Sequence, residues 1–239
     1  MAEAPTILEL VRNGTLSAEM AATLWTAAEE RWSWVVSAVP RLAGKTTLTN
    51  AMLQLLPPDV AVHRLNGDEG QMDRLKEAAL GGYLVVGEFS RAPVPTYIWG
   101  APVRRVFETL GGGYSLATAL HAPSLQGVFD VICQGNGVGD EAASRIDLVV
   151  YIRLLGDGPD GLWRRVAEVH EVDRVEGGSP VARLVHRWVE GEDRFEAVAA
   201  SRLDGGRLAS RAAALRSMAA AGHTSSLDLV AMLDEDRGR

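Results

Sequence analysis

The chain has 239 residues, with 24 basic and 31 acidic side chains and a net charge of −7, a balance that gives no general nucleic-acid-binding surface. It is 47% apolar and 23% charged, an ordinary globular composition, and no run approaches the ~18 uninterrupted apolar residues of a membrane span. The single cysteine, Cys133, excludes an intramolecular disulfide framework and any cysteine-based zinc site.

The first residues, MAEAPTILEL, lack a signal peptide's basic start, so the cytoplasm is the expected location. Residues 6–13 (TILELVRN) have helical spacing and stop at Gly14. Ser17 then caps AEMAATLWTAAEERW, with Glu19 in the first turn. Residues 1–30 are too few for a domain of their own and read as a helical lead-in. The apolar stretch from Trp32 to Val39 predicts a strand, and it runs into a turn containing Pro40 and Gly44. Lys45-Thr46-Thr47 opens a helix that continues to Leu56 and is closed by Pro57-Pro58.

Strand, phosphate-sized loop and helix start in that order form the context of a P-loop. Backbone N–H groups at the helix N-terminus face phosphates, the lysine reaches the terminal ones, and the adjacent hydroxyl ligates Mg²⁺. Arg41, Leu42, Ala43, Gly44, Lys45, Thr46 and Thr47 are the candidate cradle, with Gly44, Lys45 and Thr46 matching G-K-[ST]. The full pattern has another glycine where this chain has Val39. A β-branched residue tolerates positive φ poorly, so the loop is expected to take another backbone route. Pro40, next in line, offers no N–H. Only Lys45 and Lys76 are lysines; every other basic residue is arginine. A lysine at the one position that wants a compact point charge is therefore informative.

Val60 to Leu65 predicts a second strand, followed by the polar turn NGDEG, a helix over Met72 to Leu80, and a third strand from Tyr83 to Val86 ending at Gly87-Glu88. Residues 89–100, with Pro93, Pro95 and Gly100, read as a loop. Val103 to Leu110 is helical, Ser115 to Leu120 is a fourth strand ending at His121, and a helix starts at about Ser124. Ile146 to Leu155 (IDLVVYIRLL) lacks polar alternation, as buried parallel strands do. Strands alternating with helices over residues 31–155 imply an α/β core with a mostly parallel sheet. Over 156–239 the texture changes. Trp163 to Val172, Val181 to Val189 and Arg194 to Ala199 predict an antiparallel addition, followed by helices from Leu208 to Ala221 and Ser226 to Leu233.

In a parallel sheet, ligands sit at the carboxyl ends of the strands. Four of those ends carry chemistry here: the P-loop, Asp68-Glu69, Glu88 and His121. A glutamate after an apolar strand is where a nucleotidase keeps the carboxylate that holds the Mg²⁺ water shell or activates water. The ordinary alternatives are a surface glutamate at Glu88, solvated turn residues at Asp68-Glu69 and a carbonyl-bonded strand-end histidine at His121. Thr47 and Thr118 read as local structure, and Arg91, Arg104 and Arg105 as surface cations near the same rim.

The ordered set LVRNGTLSAEMAATL, VSAVPRLAGKTTLTNAML, LNGDEG, LVVGEFSR, SLATALHAPSLQGV and SRIDLVVYIRL resembles the secretion ATPases of type II and type IV systems, hexameric motors of pilus movement, secretion and DNA uptake. His170-Glu171-Val172 resembles a further strand of that family, and the likeness covers roughly residues 8–175. The resemblance implies a P-loop NTPase of RecA-like α/β fold with a C-terminal antiparallel and helical extension. It also implies ATP and Mg²⁺ as cofactors, with Lys45 and Thr46 on phosphate and metal, Glu88 as the Walker B glutamate and a second metal-side group, Glu69 in the acidic box, and His121 sensing the γ-phosphate. Catalytic roles thus fall to Glu88, Glu69 and His121. Implied partners are ATP and ADP, further copies of the chain in a homo-oligomer such as a hexameric ring, and secretion or pilus components. No direct nucleic-acid contact is implied, and membrane contact only through partners.

Several features depart from the family. Val39 replaces the first loop glycine, LKEAALGGYLVVGE lacks the arginine and aspartate that precede Walker B, and Phe89-Ser90-Arg91 replaces Arg-Asp. The family's large N-terminal domain has no counterpart in the sequence. The expected function is an ATP-binding, ATP-hydrolysing motor-type subunit. The alternatives are a non-catalytic nucleotide-binding scaffold and a small-molecule kinase with Arg91, Arg104 or Arg105 as lid cations.

Overall fold

A computed structural model describes residues 4–156 and 161–238. The lead-in forms two helices, α1 (Ile7–Arg12) and α2 (Ala18–Glu29). Ser17 caps α2 as expected, its hydroxyl accepting from the Met20 N–H. Strand β1 (Trp34–Ser37) is wholly buried and feeds the loop that α3 (Lys45–Leu53) closes. The remaining central strands are β2 (Val62–Leu65), β3 (Gly82–Val86), β6 (Tyr114–Leu120) and β7 (Leu148–Leu155). Between them run α4 (Glu69–Ala78), α5 (Ala101–Leu110), α6 (Leu125–Phe129) and α7 (Asp140–Ala143). The order β7-β1-β6-β3-β2 is parallel throughout, with β1 at its centre.

The expected antiparallel addition is β8 (Trp163–Glu176), β9 (Ser179–Val189) and β10 (Arg194–Ala197). They join the β7 side of the same sheet and make it eight-stranded. Helices α8 (Gly205–Ala221) and α9 (Ser226–Arg237) follow. The expected architecture, a mostly parallel α/β sheet flanked by helices with a C-terminal antiparallel and helical extension, is the one observed.

Alternation along β1 divides the core. Trp34 and Val36 face a layer built from α1, α2, α3, α8 and α9, while Val35 faces α4, α5, α6 and α7. Trp34 is fully buried, its ring centroid 4.7 Å from that of Tyr83. The first layer also encloses a charge. Arg211 on α8, 1% exposed, pairs with Glu29 and Asp236, donates to the Thr26 hydroxyl at 3.0 Å and lies 4.2 Å over the Trp25 ring. That one guanidinium ties α2, α8 and α9 together.

Four boundaries differ from the sequence reading. Helix α3 stops at Leu53 rather than Leu56, because the residue before Pro57 is steered out of the α region, and the Leu55 and Leu56 N–H groups close tighter turns on Met52 and Leu53. Helix α4 starts at Glu69 rather than Met72, since the Asp68 carboxylate caps it by accepting from Gly70 N–H. Residues 89–100 are not simply a loop: β4 (Glu88–Phe89) and β5 (Tyr97–Ile98) pair in parallel within them. The helix from Ser124 continues past Phe129 as a π-helix over Asp130–Gly135.

Candidate nucleotide site

The loop after β1 takes the other backbone route that its sequence requires. Val39 is not in the left-handed region; Leu42 (φ 64°) and Gly44 (φ 97°) are. Gly44 must be glycine on two counts. Its φ is strained for a side chain, and an added Cβ would sit 2.9 Å from Arg164 Cδ. Leu42 pays for its conformation as a non-glycine, and its carbonyl is held by Arg164, whose Nη2 and Nε donate at 2.9 and 3.3 Å.

The turn opens on a cavity of about 580 Å³ at the carboxyl ends of β1, β3 and β6. Three cations line it, Arg41, Lys45 and Arg164, against one carboxylate, Glu88. His121 and Tyr97 complete the polar wall, and Leu42, Ala43, Thr46 and Thr47 are also at the surface of the cavity. Arg41 and Thr46 are exposed, whereas Lys45 and Glu88 are 7% and 4% exposed.

Lys45, Glu88 and His121 form one cluster. Lys45 Nζ is 3.3 Å from Glu88 Oε2 and 3.0 Å from His121 Nε2, and His121 Nε2 is 3.4 Å from Glu88 Oε1. His121 Nδ1 faces the carbonyl oxygens of Ala38 and Val39 at 3.0 and 2.9 Å. Two acceptors require a hydrogen on Nδ1; in the neutral ring Nε2 then carries the lone pair, which can accept from the Lys45 ammonium. Burial pulls the Lys45 pKa below its ordinary value; the charge of Glu88 pulls it back up and that of Arg41 adds to the lowering. The Tyr97 pKa is raised, first by burial and then by the facing Glu88 carboxylate.

A phosphate-bearing group fits this wall. The charge excess is positive, the nine-residue helix α3 starts at its floor, and Gly44 leaves the backbone accessible. Mg²⁺ fits only as an ion carried by such a group. Thr46 offers an exposed hydroxyl, but no group of three or more acidic, histidine or cysteine side chains is placed to hold a metal among the described residues. Mg²⁺ characteristically keeps its waters and takes few protein ligands.

The other candidates lie elsewhere. Glu69 is exposed in the first turn of α4, outside this cavity, and Asp68 caps the same helix. Thr118 is fully buried in β6. Arg104 donates to the Asn136 carbonyl at 2.8 Å, Arg105 pairs with Asp73 and Glu108, and Arg91 stacks 4.8 Å over the Trp99 ring. The sequence reading did not single out Arg164 or Tyr97. Both arrive through long-range pairing, Arg164 on β8 and Tyr97 on β5, and no local spacing announces either.

No protein-family profile matches the chain, and no curated protein does. Among solved structures, the chain is similar to the VirB11 ATPase of the Brucella suis type IV secretion system, solved in complex with sulphate, at 16% identity and a TM-score of 0.44 over 71% of this chain and 57% of that one. It is also similar to the Legionella pneumophila ATPase DotB, at 13% identity and a TM-score of 0.39 over 82% of this chain and 55% of that one. The chain thus spans little more than half the length of these two proteins.

Proposed function

We propose that the chain binds a nucleoside triphosphate, ATP, on the loop from Arg41 to Thr47 and hydrolyses it as a motor-type subunit. The observation that carries this reading is the Lys45–Glu88–His121 cluster, which gathers the ends of three neighbouring strands at the head of a loop closed by a helix N-terminus. Each member has a task in phosphoryl transfer to water. Lys45 leaves Glu88 for the terminal phosphates, where its charge opposes the charge that develops there. Glu88, released, accepts a proton from the attacking water. His121, held through Nδ1, presents Nε2 toward the last phosphate and so distinguishes triphosphate from diphosphate. Thr46, with Glu88 as the second candidate on the water shell, would hold Mg²⁺, which would supply charge to offset that of the phosphates. A neighbouring cavity of about 420 Å³ shares Ala43, Gly44, Thr47 and Arg164 with the first and is lined further by Leu10 and Trp163. It has room for the nucleoside.

The reading extends to assembly into a homo-oligomer, a ring by resemblance, working with secretion or pilus components. The deciding experiment combines fluorescent-ATP binding with phosphate release. Wild type binds and releases phosphate without any acceptor, Lys45→Ala loses binding, and Glu88→Gln binds but turns over ~10²–10⁴-fold more slowly. Unchanged affinity in Lys45→Ala removes the loop from the function. Binding without turnover by wild type at any concentration leaves the nucleotide-binding scaffold as the function.

A further inference from the structure

The segment between Glu88 and α5 carries no helical or strand periodicity, yet it folds back so that β5 pairs with β4 in register Glu88↔Tyr97 and Phe89↔Ile98. Flanking backbone bonds at 3.0 Å, Gly87 N–H to Thr96 and Ser90 N–H to Ile98, fix that register. The approach is close enough to demand glycine at 87, where an added Cβ would lie 2.5 Å from the Thr96 hydroxyl. Phe89 and Ile98, 2% and 4% exposed, anchor the pair in the core. The ribbon therefore presents Glu88 and Tyr97 side by side on one wall of the cavity.

We propose that Tyr97 is a positioning residue, its phenol hydroxyl donating to the Glu88 carboxylate and keeping it aimed into the cavity when Lys45 moves to a phosphate. This rests on the nucleotide reading above. The argument is one of partners. Glu88 is 4% exposed and is held by Lys45 at 3.3 Å, with His121 Nε2 3.4 Å from its other oxygen. A phosphate ligand competes for Lys45, and a buried carboxylate stripped of its cation is costly. His121 is no replacement while neutral. Its only hydrogen is committed to the Ala38 and Val39 carbonyls, so the nitrogen facing Glu88 Oε1 carries a lone pair. Tyr97 is the neutral donor that stays. The raised pKa of its phenol, caused by burial first and the Glu88 charge second, agrees with a hydroxyl that keeps its proton against an anion.

The test is a double-mutant cycle in the full chain, read by binding of a fluorescent, non-hydrolysable ATP analogue with Mg²⁺ to wild type, Tyr97→Phe, Glu88→Gln and the double variant. Tyr97→Phe removes one oxygen and keeps the ring in the ribbon; an unchanged thermal melt checks that. Hydrogen bonds to a charged group are among the stronger ones. Loss of this one leaves Glu88 holding Lys45 more tightly, so the analogue binds about tenfold more weakly to Tyr97→Phe. In the Glu88→Gln background, with no charge to hold, the same substitution changes affinity by no more than about twofold. With ATP itself, kcat falls in Tyr97→Phe by more than KM rises. Equal effects of Tyr97→Phe in the two backgrounds, or no effect in either, overturn the proposal while leaving the nucleotide site intact. Failure of the nucleotide reading looks different: Lys45→Ala then binds the analogue as wild type does.

Discussion

Replacing Lys45 by alanine interrogates the cluster without any ligand. It leaves the Glu88 carboxylate, 4% exposed, short of the ammonium 3.3 Å away. Breaking a buried pair from one side costs roughly 3–5 kcal/mol where nothing else compensates. Here Tyr97 stands beside Glu88 on the same wall and the cavity admits water, so about 2 kcal/mol is the expected loss. For a chain of this size that corresponds to a fall in Tm of roughly 4–8 °C. Glu88→Gln strands Lys45 in turn, at 7% exposure and with a pKa already lowered by burial, and costs a similar amount. The double variant Lys45→Ala/Glu88→Gln leaves neither charge uncompensated. Its loss should fall short of the sum of the singles by about 1–2 kcal/mol. Urea unfolding of the four proteins, with m-values checked for constancy, measures the cycle. Losses that add within about 0.5 kcal/mol would mean that Lys45 and Glu88 do not depend on one another, and the cluster would be a coincidence of proximity.

If His121 meets the γ-phosphate as proposed, His121→Ala should slow hydrolysis more than it weakens ADP binding, which parallel turnover and ADP titrations measure. Arg164→Ala frees the Leu42 carbonyl that two guanidinium bonds now hold; analogue affinity should fall about 5–10-fold and only part return in Arg164→Lys, which cannot bond in the same forked way. Specific ATPase activity should rise with protein concentration, since a cation supplied by a neighbouring copy can contribute ~10³–10⁵ in rate. Arg105 is engaged by Asp73 and Glu108, so Arg91→Ala chains mixed into wild type should poison it more than Arg105→Ala chains; a flat activity curve in a demonstrated monomer refutes a shared site. Burial holds His186 below its ordinary pKa of 6.5, against the partial pull of Glu19 and Glu171, while its Nε2 sits 2.8 Å from the Thr23 hydroxyl. The unfolded chain therefore takes up a proton that the folded one refuses, and stability should drop as pH falls below about 6.5. That part of the slope of Tm against pH should disappear in His186→Gln.

The central strands were legible because β1, β3 and β6 are wholly buried, as is β7 over Leu148–Val150, and they therefore read as largely apolar runs. The loop before α3 was legible because its signal is local: Gly44, Lys45 and Thr46 are consecutive. Glu88 and His121 were found by asking what stands at strand ends, and β3 and β6 do bring them to Lys45. Glu69 shows the limit of that question. The β2 end is there, but the following turn caps α4 through Asp68 and leaves Glu69 in solvent. Arg164 and Tyr97 escaped because their placement depends on pairings that sequence spacing does not encode, β8 against β7 and β5 against β4. The length of the antiparallel strands was also underestimated: β8 runs on to Glu176 through two register shifts, where bulges absorb residues that break the alternation.

The guanidinium of Arg211 has a practical corollary for anyone who trims, tags or splits this chain. Its two carboxylate partners come from opposite ends of the sequence, Glu29 and Asp236. A truncation after α8 would delete Asp236 and leave a 1%-exposed cation with half its counter-charge. The shortened product would be expected to accumulate in inclusion bodies or be cleared by proteases rather than behave as a minimal functional unit. Fusions are better joined beyond Arg237, where the helix has already delivered its acid, and a split reporter cut between residues 222 and 225 should reassemble only when the final helix brings that aspartate back.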